Sequence, residues 1–259
     1  MVNLPMMLRK EIEMKLTLID ATGMGASDPA DYAANVLIFT KSTRLEMHPG
    51  LMDEIKSWPW KKKEEELRYM ANTIPSSWEF CHYTVLIEGV TRAFTHQLVR
   101  TRTASFAQQT MRVLNVNGWD YGTGPTIKDN KALDALYKSM MSKISEHYDW
   151  QIENGAAIED ARGILPTNIH TNIVMGTNLR SLTEMIRKRS SPRVQGEYRD
   201  FISLLKSRVC EIHPWANIFF DQDFDKAAND LCAQLIDATR LTNNQRTNMI
   251  KLVDQLRSA

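Results

Sequence analysis

The fold of this chain is decided by the segment His82-Tyr-Thr-Val-Leu-Ile-Glu-Gly-Val-Thr-Arg-Ala-Phe-Thr-His-Gln-Leu-Val-Arg-Thr-Arg-Thr-Ala-Ser-Phe-Ala-Gln-Gln-Thr-Met-Arg112. Apolar residues alternate from Phe80 to Ile87, which predicts a strand with Tyr83, Val85 and Ile87 on one face. Gly89 is expected to turn the chain into a helix from about Thr91 to Val99. That helix would deliver Arg100 at its C-terminal end.

The last thirteen residues of this segment contain three arginines, Arg100, Arg102 and Arg112, interleaved with hydroxyl and amide side chains. Lysine is absent, and the planar guanidinium is the cation that binds phosphate oxygens in a fixed, bidentate geometry. An exposed basic helix end is the alternative interpretation, because a cation at a helix C-terminus interacts favourably with the helix dipole. That alternative explains Arg100 alone. We therefore expect the segment to bind phosphate.

The composition is that of an ordinary globular protein, with 43% hydrophobic and 24% charged residues in 259. Lys+Arg 32 against Asp+Glu 31 gives a formal net charge of +1, so no global field attracts nucleic acid or membrane, and neither is an expected partner. No apolar run approaches the length of a membrane span. The three widely spaced cysteines and scattered histidines argue against a disulfide framework or a metal site, so a reducing cytoplasm is expected.

The rest of the chain shows mostly helical periodicity, with a strand from Lys15 to Ile19 and an extended stretch from Asn168 to Met175. Asp28 is expected to cap the first helix, and the run Lys61-Lys-Lys-Glu-Glu-Glu66 to form a solvated helix face. The predicted helices run from about Tyr32 to Thr40, Pro49 to Ser57, Lys61 to Ala71, Asn130 to Asn154, Ile158 to Ile164, Asn178 to Arg189, Val194 to Glu211, Phe224 to Ala233 and Asn243 to Arg257.

Two motif blocks give the chain a specific resemblance. Arg100-Thr-Arg102, seven residues and Thr110 is similar to the Arg-His-Arg, seven residues, Ser signature of the flavin-dependent thymidylate synthases. The family's second block follows in order, as Ala161-Arg162, Leu165-Pro166, Asn168, Thr171, Asn178-Leu-Arg180-Ser-Leu182 and Gln195-Gly-Glu197-Tyr-Arg199.

The resemblance implies an α+β fold like that of the thymidylate synthase complementing proteins, with a mixed or antiparallel sheet flanked by helices and with added C-terminal helices. It implies a single domain over residues 1–259, in which 1–13 form an extension and 221–259 a helical tail. It also implies a homotetramer whose active sites combine residues from several chains.

For the substrate, the resemblance points to a site for dUMP or a related pyrimidine deoxynucleotide. Thr110, the Met111 amide and Arg112 stand at its phosphate, and Arg162 adds a guanidinium from a neighbouring subunit. Arg189 is the catalytic candidate, since a cation beside the uracil ring would favour ionisation at N3. The implied dUMP contacts are Gln97, Arg100, Gln108, Gln109, Thr110, Met111, Arg112, Arg162 and Arg189.

For FAD, the resemblance points to Ser76, Arg100, Thr101, Arg102, Gln108, Asn178, Arg180 and Glu184. The chain departs from the family pattern on this side. Thr101 stands for the central histidine, Ala107 and Glu184 for asparagines, and Arg193 for a further histidine. Threonine neither stacks nor shuttles protons as an imidazole does.

The implied activity is methylation of dUMP to dTMP, with FAD, with methylenetetrahydrofolate as one-carbon donor and with NADPH as the reductant. Two alternatives remain open: hydroxymethylation of dUMP or dCMP on the same scaffold, and a non-catalytic nucleotide-binding homologue. Cys81 is expected to be a core residue and not a nucleophile, because it lies in a segment that looks buried.

Overall fold

The computed structural model describes residues 13–42, 47–114, 120–189, 195–220, 242, 244–248 and 250. Four strands and ten helices are found among them: β1 (Lys15–Ala21), α1 (Pro29–Ser42), α2 (Leu51–Ser57), α3 (Trp60–Thr73), β2 (His82–Thr91), α4 (Arg92–Leu98), β3 (Ser105–Gln108), α5 (Pro125–Lys128), α6 (Lys131–Glu153), α7 (Ile158–Ala161), β4 (His170–Asn178), α8 (Leu179–Arg189), α9 (Gly196–Ile212) and α10 (Asn217–Phe220). Short 3₁₀ turns span Pro75–Phe80, Arg162–Ile164 and Pro214–Ala216.

The strands form one antiparallel sheet in the order β1-β2-β4-β3, which confirms the α+β prediction. Val85 pairs with Met175, and Met175 pairs in turn with Phe106 across the sheet. Tyr83, Val85 and Ile87 are buried on one face, as the alternation predicts, and belong to a core shared with the helices. A sheet with one face packed against helices holds β3 at its edge in a fixed register.

Gly89 does not end the strand, and that part of the sequence prediction is wrong. Its φ of 67° accompanies a break in the β2–β4 register between Ile87 and Val90, and β2 continues to Thr91. A glycine with positive φ is the usual residue at such a bulge. Thr91 then caps α4, because its hydroxyl accepts a 3.1 Å hydrogen bond from the Phe94 N–H.

The charged run at the start of α3 is only partly a solvated face. Lys63 is 2% exposed, and its ammonium donates to an Asp31 carboxylate oxygen at 2.6 Å and to the Lys56 carbonyl at 3.2 Å. Lys41 and Glu66 form a second ion pair between α1 and α3. The Lys63 part of the prediction is therefore wrong, because a charged pattern does not show which lysine faces a carboxylate on another helix.

The other predicted elements that fall in the described ranges are found within a few residues of their expected bounds. Asp28 caps α1, with its carboxylate accepting from the Asp31 N–H at 2.9 Å. The predicted helix from Phe224 to Ala233, most of the last helix and the extension at residues 1–12 lie outside the described residues, although 244–248 are helical. Within the described part of the chain, no helix has the length and apolarity needed to cross a membrane.

Candidate active site

The predicted site residues lie in two groups at the two ends of β3. Ser105 at the start of the strand pairs with Gly176, close to the start of α8. At the other end, the Gln109 N–H donates to the Asn172 carbonyl at 3.0 Å. Four residues of extended chain separate these ends by about 13 Å. The arginine cluster is therefore split by the sheet into two local environments.

The second environment is a turn formed by residues 109–112, here named the 109–112 turn. The Thr110 hydroxyl accepts a hydrogen bond from the Arg112 N–H at 3.1 Å. Met111 is 9% exposed and packs in a small core with Tyr148, Ala161 and Ile169. Because its apolar residue is anchored and its polar residues face outward, the turn presents a hydroxyl and a guanidinium to solvent.

Two of the predicted phosphate-binding arginines meet beside this turn within one chain. Arg112 donates through Nε to a Glu159 carboxylate oxygen at 3.0 Å, and Arg162 donates through Nε to the Glu159 carbonyl at 3.1 Å. No second copy is needed to bring these two guanidinium groups together. Both are exposed, so an incoming anion reaches them from solvent.

Arg92 is a third guanidinium at the same place, and it is not among the site residues predicted from the sequence. It donates to the Gln109 carbonyl at 2.7 Å. Burial and the charge of Arg162 both lower the pKa of Arg92. Its Nε is buried, without a hydrogen-bond partner among the described residues. One signal was available: a cation in the first turn of a helix opposes the helix dipole, so its presence indicates another interaction.

The first environment contains Arg100, Thr101 and Arg102, which follow α4. Arg100 and Arg102 are exposed, and neither has an acidic partner in the described part of the chain. Thr101 is half-buried, with its hydroxyl 4.0 Å from the Met185 sulfur on α8. Two exposed guanidinium groups without carboxylates favour an anionic ligand such as a diphosphate.

Two predicted glutamines, Gln97 on α4 and Gln108 at the end of β3, are held by side-chain hydrogen bonds. Gln97 donates to the Gln195 side chain at 2.6 Å, and Gln108 donates to the Thr95 hydroxyl at 2.8 Å. The Gln97 contact links α4 to the start of α9. Each amide keeps further donor or acceptor capacity for a ligand.

Arg189, the last residue of α8, lies over an aromatic ring. Its guanidinium carbon is 4.9 Å from the centre of the Tyr198 ring, within the range of a cation–π interaction. Tyr198 is fully buried on α9. Burial raises the pKa of Tyr198, and the nearby Thr101 hydroxyl and Arg189 cation offset part of that rise. Arg189 therefore lies against Tyr198, which is not among the predicted site residues.

Arg180 and Asn178 are less available to a flavin than the motif implies. Arg180 is 2.6 Å from a Glu79 carboxylate oxygen and 3.6 Å from Glu184, and Glu184 lies 4.0 Å from Lys188. The Asn178 side-chain oxygen caps α8 by accepting from a backbone N–H at 2.9 Å. A carboxylate at position 184, where the resemblance expects an amide, reduces the attraction of Arg180 for an anionic group.

The remaining predicted positions give less information. Ser76 is half-buried in the 3₁₀ turn Pro75–Phe80. Ala107 is exposed in β3, and Arg193 lies outside the described residues. Among those residues, no group of three or more side chains is arranged to hold a metal ion.

Cys81 is a fully buried residue, as the sequence analysis expects. Burial raises the pKa of its thiol to about 11, which leaves it protonated near neutral pH. Its S–H donates to the Tyr83 oxygen at 3.4 Å, and the Tyr83 hydroxyl donates to His213 Nδ1 at 2.9 Å. His213 Nε2 must carry a proton, because it lies 3.0 Å from the Thr22 carbonyl, which can only accept. This network is a structural element of the core.

Residues 17–215 match the family model described as thymidylate synthase complementing protein. The chain is 38% identical over 121 residues to the flavin-dependent thymidylate synthase of Thermococcus onnurineus, an alignment that covers 45% of this chain and 49% of that protein. It is 32% identical over 165 residues to the protein of that name from Nitratidesulfovibrio vulgaris, covering 59% and 67%. The Thermococcus kodakarensis protein is 39% identical over 126 residues, covering 47% and 51%. The chain thus spans about half to two thirds of the length of these curated relatives.

Proposed function

The chain belongs to the thymidylate synthase complementing protein family, and we propose that it transfers a one-carbon unit to C5 of a pyrimidine deoxynucleotide, converting dUMP to dTMP. The observation that carries this proposal is the meeting of Arg92, Arg112 and Arg162 at the 109–112 turn. Among the described residues, only Arg112 is paired with a carboxylate, that of Glu159, so the three guanidinium groups leave a local positive charge. A phosphate dianion is the ligand that neutralises it.

The 109–112 turn would hold the nucleotide phosphate. The Thr110 hydroxyl and the Arg112 guanidinium are exposed donors, the Met111 amide lies between them in the chain, and Arg162 adds a second charge. Arg112 would exchange its contact with Glu159 for the phosphate, a small cost because both partners of that ion pair are exposed. Gln109 would be held in place from behind by Arg92.

At the pyrimidine ring, Arg189 is the proposed catalytic residue. A cation beside the ring stabilises the negative charge that develops when N3 ionises, and this charge makes C5 more nucleophilic. Gln97, Arg100 and Gln108 would orient the base. Gln97 would do so by releasing the Gln195 side chain, with which it is paired in the structure.

For FAD, Arg100 and Arg102 fit a diphosphate because no carboxylate of the described residues neutralises them. Arg180 fits less well, since Glu79 and Glu184 already lie beside it. The remaining proposed flavin contacts are Ser76, Thr101, Gln108, Asn178 and Glu184. When bound, FAD supplies the redox chemistry, methylenetetrahydrofolate the one-carbon unit and NADPH the reducing equivalents.

The position of these residues favours an active site shared between copies of the chain in a homotetramer. Arg189 lies on the α8 side of the structure, whereas Arg112 follows the far end of β3, about 13 Å along the strand from its start. One nucleotide would then take its contact with Arg189 from one chain and its phosphate contacts from another. The exposed apolar side chains of Leu133, Leu136 and Met140 on α6 offer surface that a second copy would cover.

A second candidate, hydroxymethylation of dUMP or dCMP, is favoured by Thr101 and Glu184. The half-buried Thr101 hydroxyl cannot shuttle a proton near neutral pH as an imidazole does. Glu184 holds Arg180 in an ion pair on the flavin side. If the last reduction were impaired for these reasons, water would add to the C5 methylene carbon and leave a hydroxymethyl group.

Mass spectrometry of the product decides between these functions. Purified protein is incubated with FAD, dUMP, methylenetetrahydrofolate and NADPH, and the same reaction is run with Arg189→Ala. We expect dTMP from the wild-type protein and a large loss with the variant. Hydroxymethyl-dUMP as the main product would establish the second candidate. Absence of both products in a protein that binds dUMP would indicate a nucleotide-binding homologue. For each of these three functions, we propose that the protein acts in the reducing cytoplasm.

A further inference from the structure

Tyr198 lies directly beneath the guanidinium of Arg189 and is itself immobilised. It is fully buried, and its ring contacts Phe94 at a centroid distance of 5.2 Å and Phe201 at 5.8 Å. Arg189 stands at the last residue of α8, where a long side chain has many rotamers. A rigid aromatic face under the guanidinium restricts that freedom.

The hydroxyl of Tyr198 is a buried polar group. It has no hydrogen-bond partner of ordinary geometry among the described residues. Thr101 and Arg189 nevertheless lie close enough to act on it electrostatically. A buried hydroxyl without a partner costs free energy, so a hydrogen bond to one of these two groups would stabilise the occupied site.

We propose that Tyr198 is a positioning residue, whose ring holds the Arg189 guanidinium toward the pyrimidine and whose hydroxyl joins it to Thr101. This inference rests on the proposed function, in which Arg189 acts on the ring of dUMP. No acidic residue in the described part of the chain pairs with Arg189. The chemistry explains why: a carboxylate would cancel the charge that the pyrimidine needs, whereas an aromatic face orients the cation and leaves its charge intact.

The test measures ionisation of a bound ring, and it needs neither flavin nor turnover. The probe is 5-fluoro-dUMP, whose N3 ionises at lower pH than that of dUMP and whose ultraviolet spectrum changes when it does. The pH titration of the bound nucleotide gives its ring pKa, and a direct titration gives its Kd. The variants are Tyr198→Leu, Tyr198→Phe and Thr101→Val, with Arg112→Ala as the phosphate-side control and thermal melts as the check of folding.

We expect Tyr198→Leu to raise the ring pKa by about 0.5 to 1, a three- to tenfold fall in the ionised fraction, because Arg189 is no longer held over the ring. Tyr198→Phe keeps the aromatic face and should shift the ring pKa less. Thr101→Val should match Tyr198→Phe, and the double variant should add nothing. Arg112→Ala should weaken binding and leave the ring pKa unchanged, since it contacts the phosphate.

The outcomes separate this inference from the proposed function. A wild-type protein that does not bind 5-fluoro-dUMP would overturn both. A wild-type protein that binds it, with variants of Tyr198 and Thr101 whose ring pKa equals that of wild type, would overturn the inference alone. Should Tyr198→Leu fail to fold, Tyr198→Phe and Thr101→Val decide the matter: unchanged ring pKa values in both contradict the hydroxyl contact with Thr101 and with it the proposal.

Discussion

Replacing Arg112 by alanine is the most direct test of the 109–112 turn. The change removes one charge-assisted hydrogen bond to the nucleotide phosphate, worth about 1.5 to 3 kcal/mol. Arg112 contacts Glu159, and the two side chains are 69% and 52% exposed. Such an exposed ion pair contributes at most about 1 kcal/mol, and the phosphate must break this ion pair before it binds Arg112. The net loss on substitution is then about 0.5 to 2 kcal/mol, a two- to thirtyfold rise in Kd.

Isothermal titration calorimetry with two ligands makes this measurement specific. dUMP carries the phosphate and deoxyuridine does not, so the Arg112→Ala loss should appear for dUMP and vanish for deoxyuridine. Arg208→Ala is the matched control, because Arg208 is also an exposed arginine paired with a glutamate, Glu211, at 2.9 Å. An equal loss for both ligands, or an equal loss in the control variant, would refute the assignment of Arg112 to the phosphate.

Three further perturbations test the core and the site. Burial lowers the pKa of His213 from 6.5 to about 4. The neutral imidazole therefore stabilises the fold fully above pH 6.5, and this stabilisation is lost as the pH falls toward 4. Thermal melts should show about 2 kcal/mol of destabilisation by pH 5, and a flatter pH dependence in His213→Gln. Lys63→Ala should lower the free energy of unfolding, measured with denaturant, by about 2 to 4 kcal/mol, because it leaves Asp31 without its buried partner. The control Lys61→Ala, at an exposed position, should change this free energy by no more than about 0.5 kcal/mol. Arg92→Gln should raise the Kd for dUMP about tenfold and leave FAD affinity unchanged; equal losses for both ligands would indicate general damage to the fold.

Two departures from the sequence predictions have clear physical causes. β3 was not predicted as a strand because four residues, Ser105–Gln108, are too short for a periodic signal, and its pairing with β4 is a long-range contact. Gly89 was assigned to a turn because glycine is common in both turns and bulges. Only the pairing on both sides of it, with Thr171 and Ile173 on β4, makes it a bulge.

The positions of the arginines illustrate the same limit. The sequence places Arg100, Arg102 and Arg112 close together, yet the edge strand β3 lies between Arg102 and Arg112 and separates them in space. Arg92 stands twenty residues before Arg112 and donates to the turn that carries it. The spacing of residues along the chain predicts neither the separation of these arginines nor the contact of Arg92, because both depend on how β3 pairs with β4.

The sequence by itself determined the helices, the long strands, the buried face of β2 and the family, because hydrophobic period and side-chain order are local properties. The tertiary structure decided which charged groups meet: Arg92 with Arg112 and Arg162 at the 109–112 turn, and Arg189 over Tyr198 beside Thr101. The physical reason is that strand pairing and helix packing join residues far apart in the chain, and electrostatic interactions depend on distance in space.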